Sequence, residues 1–188
     1  MRPSDRAREA TCFDVLRELQ DSDAVLIGGF AVSAHGRPRF SVDLDFVLPA
    51  SEVTRFRGVL GRLGFWEEEG TKPAPVFAVR FERWTKGSGA SSVSVDLLID
   101  GVYDRRMGVL QTYDTLKHRA TRRLVTGVTP TSTAEFAIPD AETLIALKIP
   151  PGRNADLRDI AILAGSVTRR EDIATLLSHC PPAVVLDL

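Results

Sequence analysis

Two aspartates that follow a glycine turn are the residues best placed to do chemistry in this chain. The sequence reads LIGGF at residues 26–30 and SVDLDF at residues 41–46. Because side chains alternate along a strand, Asp43 and Asp45 point to the same face. Two neighbouring carboxylates are costly unless a cation lies between them. Glycines that open a helix leave backbone N–H groups free to meet a phosphate. The pattern therefore predicts a metal-dependent site for a nucleoside triphosphate.

A third carboxylate lies within another apolar strand, in the run SVDLLI at residues 94–99. If the two strands are neighbours, Asp96 joins Asp43 and Asp45. Three carboxylates suit Mg²⁺, which prefers oxygen ligands and also takes substrate phosphates. Two such ions about 4 Å apart bind the attacking and leaving oxygens of a phosphoryl displacement. Asp96 is then expected to ligate the metal and to help deprotonate the incoming hydroxyl. The alternative is an ordinary salt-bridged strand aspartate.

Hydrophobic periodicity and turn residues indicate the elements that position these carboxylates. The predicted helices before Pro139 cover residues 5–20 and 30–35 and a segment that Ser51 caps and that runs to Leu63. The predicted strands are residues 24–27, 42–48, 75–81, 93–99, 124–128 and 136–138, with a Gly/Ser-rich hairpin loop at 86–92. After Pro139 the pattern is helical, with predicted helices over residues 140–148, 155–164 and 169–178. Asn154 is predicted to cap the second of these helices. We therefore expect an α/β domain over residues 1–139 and a helical segment over 140–188 that packs on it.

The composition excludes several classes of protein. The 188 residues are 44% hydrophobic and 26% charged, with a net charge of −1, as in an ordinary globular protein that does not coat nucleic acid. Cys12 and Cys180 form neither a disulfide framework nor a zinc site. Neither a signal peptide nor a membrane-spanning run is evident, so we expect a cytoplasmic protein without a membrane partner. Basic residues at 117–119 and 122–123 either steer a polyanion such as RNA or form a solvated face.

The combination of these motifs resembles the nucleotidyltransferase superfamily with the DNA polymerase β-type palm. It is most similar to the minimal nucleotidyltransferases and the AbiEii-like toxins of bacterial toxin–antitoxin systems. Those proteins have a Gly-Gly start, an Arg-x-Thr/Ser-x-Asp-x-Asp core and a downstream lysine, and the core here reads RFSVDLD at residues 39–45. The resemblance covers roughly residues 24–164. It implies an α/β fold with a palm-like mixed β-sheet, flanking helices and a short helical C-terminal part.

The resemblance also implies roles for the site residues. Asp43 and Asp45 would ligate both metal ions, and Asp96 would ligate one. Backbone N–H groups of the glycine pair would hold the triphosphate, and two further side chains can add phosphate contacts. The implied nucleotide-binding residues are Gly28, Gly29, Ser33, Arg39 and Lys148. For Arg39 a second role remains open, as the structural partner of a carboxylate.

A lysine near the C-terminal part matches the downstream lysine of the family. Lys148 would neutralise charge on the β- and γ-phosphates, or it is simply a lysine favoured at a helix C-terminus. The run RNADLRD at residues 153–159 resembles the family pattern Arg-x-Lys-Asp-x-x-Asp, with Ala155 in place of the lysine. Asp156 and Asp159 lie one helical turn apart and can pair with the arginines of the same run.

The predicted reaction is the Mg²⁺-dependent transfer of a nucleoside monophosphate from an NTP such as ATP, with release of pyrophosphate. The acceptor would be a protein side chain or a tRNA 3′ end, or a small molecule as in aminoglycoside nucleotidyltransferases. A cognate toxin or antitoxin would be a further partner. The alternative of another class is a non-catalytic binding or regulatory module that keeps the fold.

Overall fold

A mixed β-sheet carries the residues that the sequence singles out. A computed structural model describes residues 2–36, 39–68, 79–104, 108–129 and 131–178, and in these ranges one sheet has seven strands in the order β3-β4-β5-β2-β1-β9-β8. The strands are β1 (Val25–Ile27), β2 (Asp43–Leu48), β3 (Trp66–Glu67), β4 (Arg80–Lys86), β5 (Val93–Ile99), β6 (Gly101–Asp104), β7 (Val109–Thr112), β8 (Ala120–Thr126) and β9 (Thr133–Pro139). The helices are α1 (Pro3–Leu19), α2 (Gly28–Ser33), α3 (Val53–Arg62), α4 (Tyr113–His118), α5 (Ala141–Lys148), α6 (Asn154–Leu163) and α7 (Arg170–Leu176). The prediction of an α/β fold with a mixed sheet and flanking helices is confirmed.

Parallel and antiparallel pairs alternate around the centre of the sheet. β2 runs parallel to β5 and antiparallel to β1, and β1 in turn pairs with β9 in parallel. β4 and β8 pair antiparallel with β5 and β9. β6 and β7 form a separate two-stranded ribbon. The central position of β2 brings its aspartates between two neighbouring strands.

One face of the sheet forms the hydrophobic core. Leu44 and Phe46 of β2 are fully buried, and the ring of Phe46 meets Phe56 of α3 edge-on at a centroid distance of 5.2 Å. Along β5, buried Val95 and Leu97 alternate with the less buried residues of the other face. Each fully buried side chain of this kind contributes roughly 1.5–3 kcal/mol. The core therefore fixes which face of β2 and β5 is left for the polar side chains.

Several predicted boundaries differ from the structure in detail. The helix predicted over residues 30–35 begins at Gly28, because the chain enters α2 directly from β1. Ser51 does not cap a helix: it lies in a 3₁₀ turn, and α3 begins at Val53. Asn154 is the first residue of α6 rather than its cap, which is Arg153. Most of the strand predicted over 75–81 lies outside the described residues, and β4 begins at Arg80.

The C-terminal helices begin where the sequence pattern changes. β9 ends at Pro139, and the side chain of Asp140 accepts a hydrogen bond from the Thr143 N–H at the start of α5. α5 contacts α2, α6 and α7. Cys12 is buried as a free thiol, whereas Cys180 lies outside the described ranges. Among the helices that the structure describes, none combines the length and apolar character needed to cross a membrane.

Candidate functional site

Strand register places the three aspartates of the sequence motifs on one face of the sheet. Asp45 lies directly opposite Asp96 in the parallel β2–β5 pair, and Asp43 lies opposite Ser94. On the other side of β2, Asp45 faces Ile27, the last residue before the glycine turn. Residues directly opposite each other on neighbouring strands share a face. The two separate sequence motifs thus meet at the position of Asp45.

The environment of Asp45 strongly perturbs the ionisation of its carboxylate. Burial, followed by the negative charges of Asp96 and Asp43, raises its pKa to about 6. The positive charges of Lys148 and Arg83 act in the opposite direction without cancelling this effect. A carboxylate in this environment is stabilised by any additional cation that comes within a few ångströms. The electrostatics therefore favour the binding of a cation beside Asp45.

The glycine turn is shaped to admit the Asp45 side chain. Gly28 has a φ of +68°, and a Cβ atom built on it would lie 1.9 Å from Oδ2 of Asp45. Both the backbone conformation and the contact therefore exclude a side chain at this position. Gly29 is restricted as well, since its Cβ would lie 2.6 Å from Nη2 of Arg39. The glycine pair and the aspartate motif are thus parts of one packed unit.

We expect Gly28→Ala to disturb the site directly. The added methyl group must displace the Asp45 carboxylate, and the positive φ adds strain, so the variant should lose about 1–3 kcal/mol of stability and most of any activity that uses Asp45. Gly61→Ala on α3 is the matched control, because its Cβ would meet no atom within 4 Å. Thermal unfolding of both variants checks the prediction. Equal unfolding temperatures for the two would contradict the close packing of Gly28 on Asp45.

The other two aspartates already have hydrogen-bond partners. Asp96 accepts two hydrogen bonds from Arg83, one from Nε to Oδ1 and one from Nη2 to Oδ2, both at 2.7 Å. Ser94 donates a hydrogen bond from Oγ to Oδ1 of Asp43 at 2.6 Å. In this arrangement the described residues contain no group of three His, Cys, Asp or Glu side chains that is ready to hold a metal ion. The donor set nevertheless fits a hard divalent cation, since three carboxylates share one face and burial hinders the ionisation of Asp45.

Ser33 and Arg39 lie next to the glycine turn. The Ser33 hydroxyl donates to the Gly29 carbonyl at 3.1 Å and accepts a hydrogen bond from the Arg39 N–H at 3.3 Å. Arg39 donates from Nη2 to Oδ2 of Asp159 at 3.0 Å, so it is the partner of a carboxylate. Its buried Nε has no hydrogen-bond partner among the residues described. That free donor leaves a second role for Arg39 open.

Lys148 belongs to a buried network of charges. Its Nζ lies 2.7 Å from Oδ2 of Asp159 and 3.7 Å from Oδ1 of Asp156. Asp156 also accepts hydrogen bonds from Arg153 and closes a capping box at the start of α6. The pairing of Asp156 with Arg153 was expected from the sequence, but Asp159 pairs with Lys148 and Arg39 instead of an arginine of its own segment. The two aspartates thus hold Lys148 in place.

A cavity joins the glycine turn to this network. Gly28, Asp45 and Lys148 line it together, which brings one residue from each of the three sequence motifs to a common space. The remaining walls are mostly apolar and come from both ends of the site. They include Ile27, Val102, Leu144, Leu147 and Pro151. Arg153 and Asp156 also line the cavity, so it combines charged groups with an apolar surface.

Sequence reasoning missed Arg83 as a member of the site. In the run RFERWTK of β4, alternation places residue 83 on the same face as Phe81 and Thr85. The pairing with Asp96 depends on the register between β4 and β5, which the hairpin fixes. Alternation alone therefore predicts the face of Arg83 but not the residue opposite it. The basic run at residues 117–119 is used structurally, since Arg119 pairs with Asp140 and Asp172.

The fold and the site define a nucleotidyltransferase-type α/β protein. Residues 14–174 match the family model described as nucleotidyl transferase AbiEii toxin, type IV toxin–antitoxin system. Because the match spans most of the sequence, the chain belongs to this AbiEii nucleotidyltransferase family. The resemblance inferred from the motifs is confirmed.

Solved structures agree on the fold. The solution structure of the antibiotic-resistance factor ANT(2'')-Ia is 12% identical, with a TM-score of 0.60 over 93% of this chain and 91% of that one. The crystal structure of ANT(2'')-Ia in complex with adenylyl-2''-tobramycin is 14% identical, with a TM-score of 0.59 over 96% of this chain and 98% of that one. No curated protein matches the sequence. At these identities the likeness shows the fold and nothing finer.

Proposed function

We propose that this protein is a Mg²⁺-dependent nucleotidyltransferase that moves a nucleoside monophosphate from an NTP to a tRNA or protein acceptor and releases pyrophosphate. As a family member it would act as the toxin of a toxin–antitoxin pair. The observation that carries the proposal is the position of Asp45. Its carboxylate lies against Gly28 on one side and opposite Asp96 on the other. A phosphate at the turn and a hydroxyl near Asp96 would therefore both adjoin one carboxylate.

Asp43, Asp45 and Asp96 are the residues that would hold the metal. When bound, Mg²⁺ neutralises phosphate charge and orients the reacting oxygens. The raised pKa of Asp45 supports this assignment, because it reflects a carboxylate whose nearest charged neighbours include two other carboxylates. Deprotonation of Asp45 at neutral pH makes its oxygens available as ligands.

The nucleotide would lie on the glycine side of Asp45. The Gly28 and Gly29 N–H groups are proposed to donate to phosphate oxygens, and the unpartnered Arg39 Nε gives a further donor beside them. Lys148 lines the same cavity and would bind the terminal phosphates. The apolar walls suit the ribose or base.

The acceptor would approach from the Asp96 side. Neighbouring strands lie about 4.8 Å apart, so Asp96 is one strand farther from the glycine turn than Asp45. An acceptor hydroxyl at this position would pass its proton to a carboxylate oxygen of Asp96. In the proposed arrangement, nucleotide and acceptor would lie on opposite sides of Asp45.

A small-molecule acceptor is the second candidate. The specific observation in its favour is the fold shared with ANT(2'')-Ia, an antibiotic-resistance factor whose crystal structure contains adenylyl-2''-tobramycin. Either class of acceptor would use the same proposed nucleotide-binding residues of this chain.

Transfer of label tests both candidates together. Purified protein is incubated with each α-³²P-labelled NTP, Mg²⁺ and, in separate reactions, total tRNA, pooled cell protein or tobramycin. We expect label on tRNA or protein with the wild type and none with Asp43→Ala/Asp45→Ala. Asp14→Asn is the matched control, since this aspartate is 61% exposed on α1 and should leave the transfer rate unchanged.

The pattern of labelling distinguishes between the proposed acceptors and a non-catalytic protein. Label on tobramycin alone would replace the proposed acceptor by a small molecule. Equal labelling by the double variant and the wild type would remove the two aspartates from the mechanism. No label in any reaction, with no binding of NTP or Mg²⁺ by calorimetry, would make the protein a non-catalytic binding module.

A further inference from the structure

Arg83 forms an ion pair with Asp96, the carboxylate that the proposed mechanism assigns to the metal ion and the acceptor. It faces Asp96 directly across the β4–β5 pair, and its guanidinium binds both carboxylate oxygens at 2.7 Å. The pair is asymmetric in exposure: 44% of the Arg83 side chain is exposed, against 13% of Asp96. The guanidinium also lies over the ring of Phe81, 5.8 Å from its centroid. Arg83 is thus the more exposed member of the pair, while the Asp96 side chain is largely buried.

This pairing and a metal ion compete for the same oxygens. Bidentate binding directs two N–H groups at the lone pairs of Asp96 and leaves a full positive charge within a few ångströms of them. A divalent cation that takes the same carboxylate meets this charge at short range, where repulsion is strong in a partly buried site. Both cations therefore cannot hold Asp96 in the geometry shown.

We propose that Arg83 is a displaceable counter-ion of Asp96, which neutralises the carboxylate in the metal-free protein and leaves it when a divalent cation binds. This inference rests on the proposed function, because it assigns Asp96 to the metal. Arg83 is then a positioning residue that acts through Asp96 and sets the metal affinity of the site. A permanent structural Arg83–Asp96 pair is the competing interpretation.

An acidic residue outside the proposed metal ligands, Glu68, can receive the displaced guanidinium. The negative charge of Glu68 acts on Arg83 in addition to those of Asp96 and Asp43. Glu68 accepts a hydrogen bond from Thr85, which lies on the same face of β4 as Arg83. The long arginine side chain can therefore move away from Asp96 and still have a carboxylate nearby. Its guanidinium would not be left without a negative partner.

Binding of Mn²⁺ without nucleotide tests the proposal. Calorimetric titrations compare the wild type with Arg83→Met and with Arg80→Met, a control that removes the same charge from the opposite face of β4. We expect Arg83→Met to bind Mn²⁺ about tenfold or more tightly than the wild type, since the competing cation is gone. Arg80→Met should bind with wild-type affinity. In EDTA, Arg83→Met should unfold at a lower temperature and gain more from Mn²⁺ than the wild type gains.

Unchanged or weaker Mn²⁺ binding by Arg83→Met would overturn the proposal and show that the pair is structural. An equal gain in Arg80→Met would also overturn it, since net charge alone would then explain the effect. Arg83→Lys is the second variant if Arg83→Met does not fold: it keeps the charge but loses the bidentate fork, so its affinity should lie above that of the wild type. Asp45→Asn is the control that should bind no Mn²⁺. If the wild-type protein also binds no Mn²⁺, the result would instead count against the proposed function itself.

Discussion

Asp45→Asn should abolish nucleotidyl transfer and, at the same time, make the metal-free protein more stable at neutral pH. The asparagine retains the shape that packs against Gly28, but it removes a negative charge from the proposed metal site. We expect the rate of transfer to fall by about 10³-fold or more, because a lost metal ligand costs several kcal/mol of transition-state stabilisation. Function and stability therefore change in opposite directions at this position.

The gain in stability follows from the raised pKa of Asp45. The pKa rises from an ordinary value of 3.8 to about 6 in the folded protein. Between these values the folded state holds a proton that the unfolded state releases, so the free energy of unfolding falls as pH rises through this window. Above about pH 6 the full cost is present, on the order of 3 kcal/mol. Asparagine carries no such cost, so the variant should gain stability at pH 7.5 and little at pH 4.

Urea unfolding in EDTA at pH 4 and pH 7.5 measures this difference. Asp14→Asn, on the exposed surface of α1, controls for the loss of one negative charge. An Asp45→Asn protein that is less stable than the wild type at pH 7.5 would contradict the electrostatic account. Retention of transfer by the same variant would remove Asp45 from the mechanism, whatever its stability.

The strand that carries the aspartates was predictable because its signal is local. Leu44 and Phe46 alternate with Asp43 and Asp45, and this alternation alone separates a core face from a polar face. The same reasoning holds for Asp96 within β5. If β2 and β5 are neighbours with their apolar faces in one core, their aspartates lie on the same side of the sheet. The family resemblance implied that the two strands are neighbours. The cluster of three aspartates could therefore be predicted from the sequence.

The residues that pair with the buried carboxylates could not be predicted from the sequence in the same way. Arg83 and Asp96 are close in sequence, but their contact depends on a register that a single-residue slip would reverse. Asp159 contacts Arg39 across 120 residues, and no local pattern indicates which cation a buried aspartate selects. Such pairs depend on the packing of α6 against α5 and α2. Local patterns thus predicted the acidic residues and left their counter-ions undetermined.

The Pro-Pro-Gly segment at residues 150–152 has a clear structural role. The Gly152 N–H donates to the Lys148 carbonyl at 3.3 Å, and Gly152 adopts a φ of +57°. This turn ends α5 and returns the chain as α6, so that Asp156 and Asp159 face Lys148. The turn at residues 150–152 therefore helps to position the two carboxylates that surround the lysine.

Lys148→Met should both destabilise the fold and reduce transfer. The Lys148 side chain is 10% exposed and its two aspartate partners are at most 4% exposed, so the substitution leaves buried carboxylates without a nearby ammonium group. Removal of one member of a buried ion pair costs about 3–5 kcal/mol when the other charge is left uncompensated, and we expect a smaller loss here because Arg39 and Arg153 still pair with Asp159 and Asp156. If Lys148 also binds the terminal phosphates, transfer should fall by about 10²-fold or more, measured well below the unfolding temperature. Wild-type stability in this variant would contradict the buried pairing.

Lys148→Met/Asp159→Asn separates the two contributions. The second substitution removes the carboxylate charge that has lost its ammonium partner, and its amide oxygen can still accept the hydrogen bond from Arg39, so much of the lost stability should return. Transfer should stay low, because no cation has been restored to the cavity shared with Asp45. Recovery of transfer together with stability would show that Lys148 acts only through folding. Recovery of stability alone would support phosphate binding as the function of the lysine, since loss of folding would then no longer explain the loss of transfer.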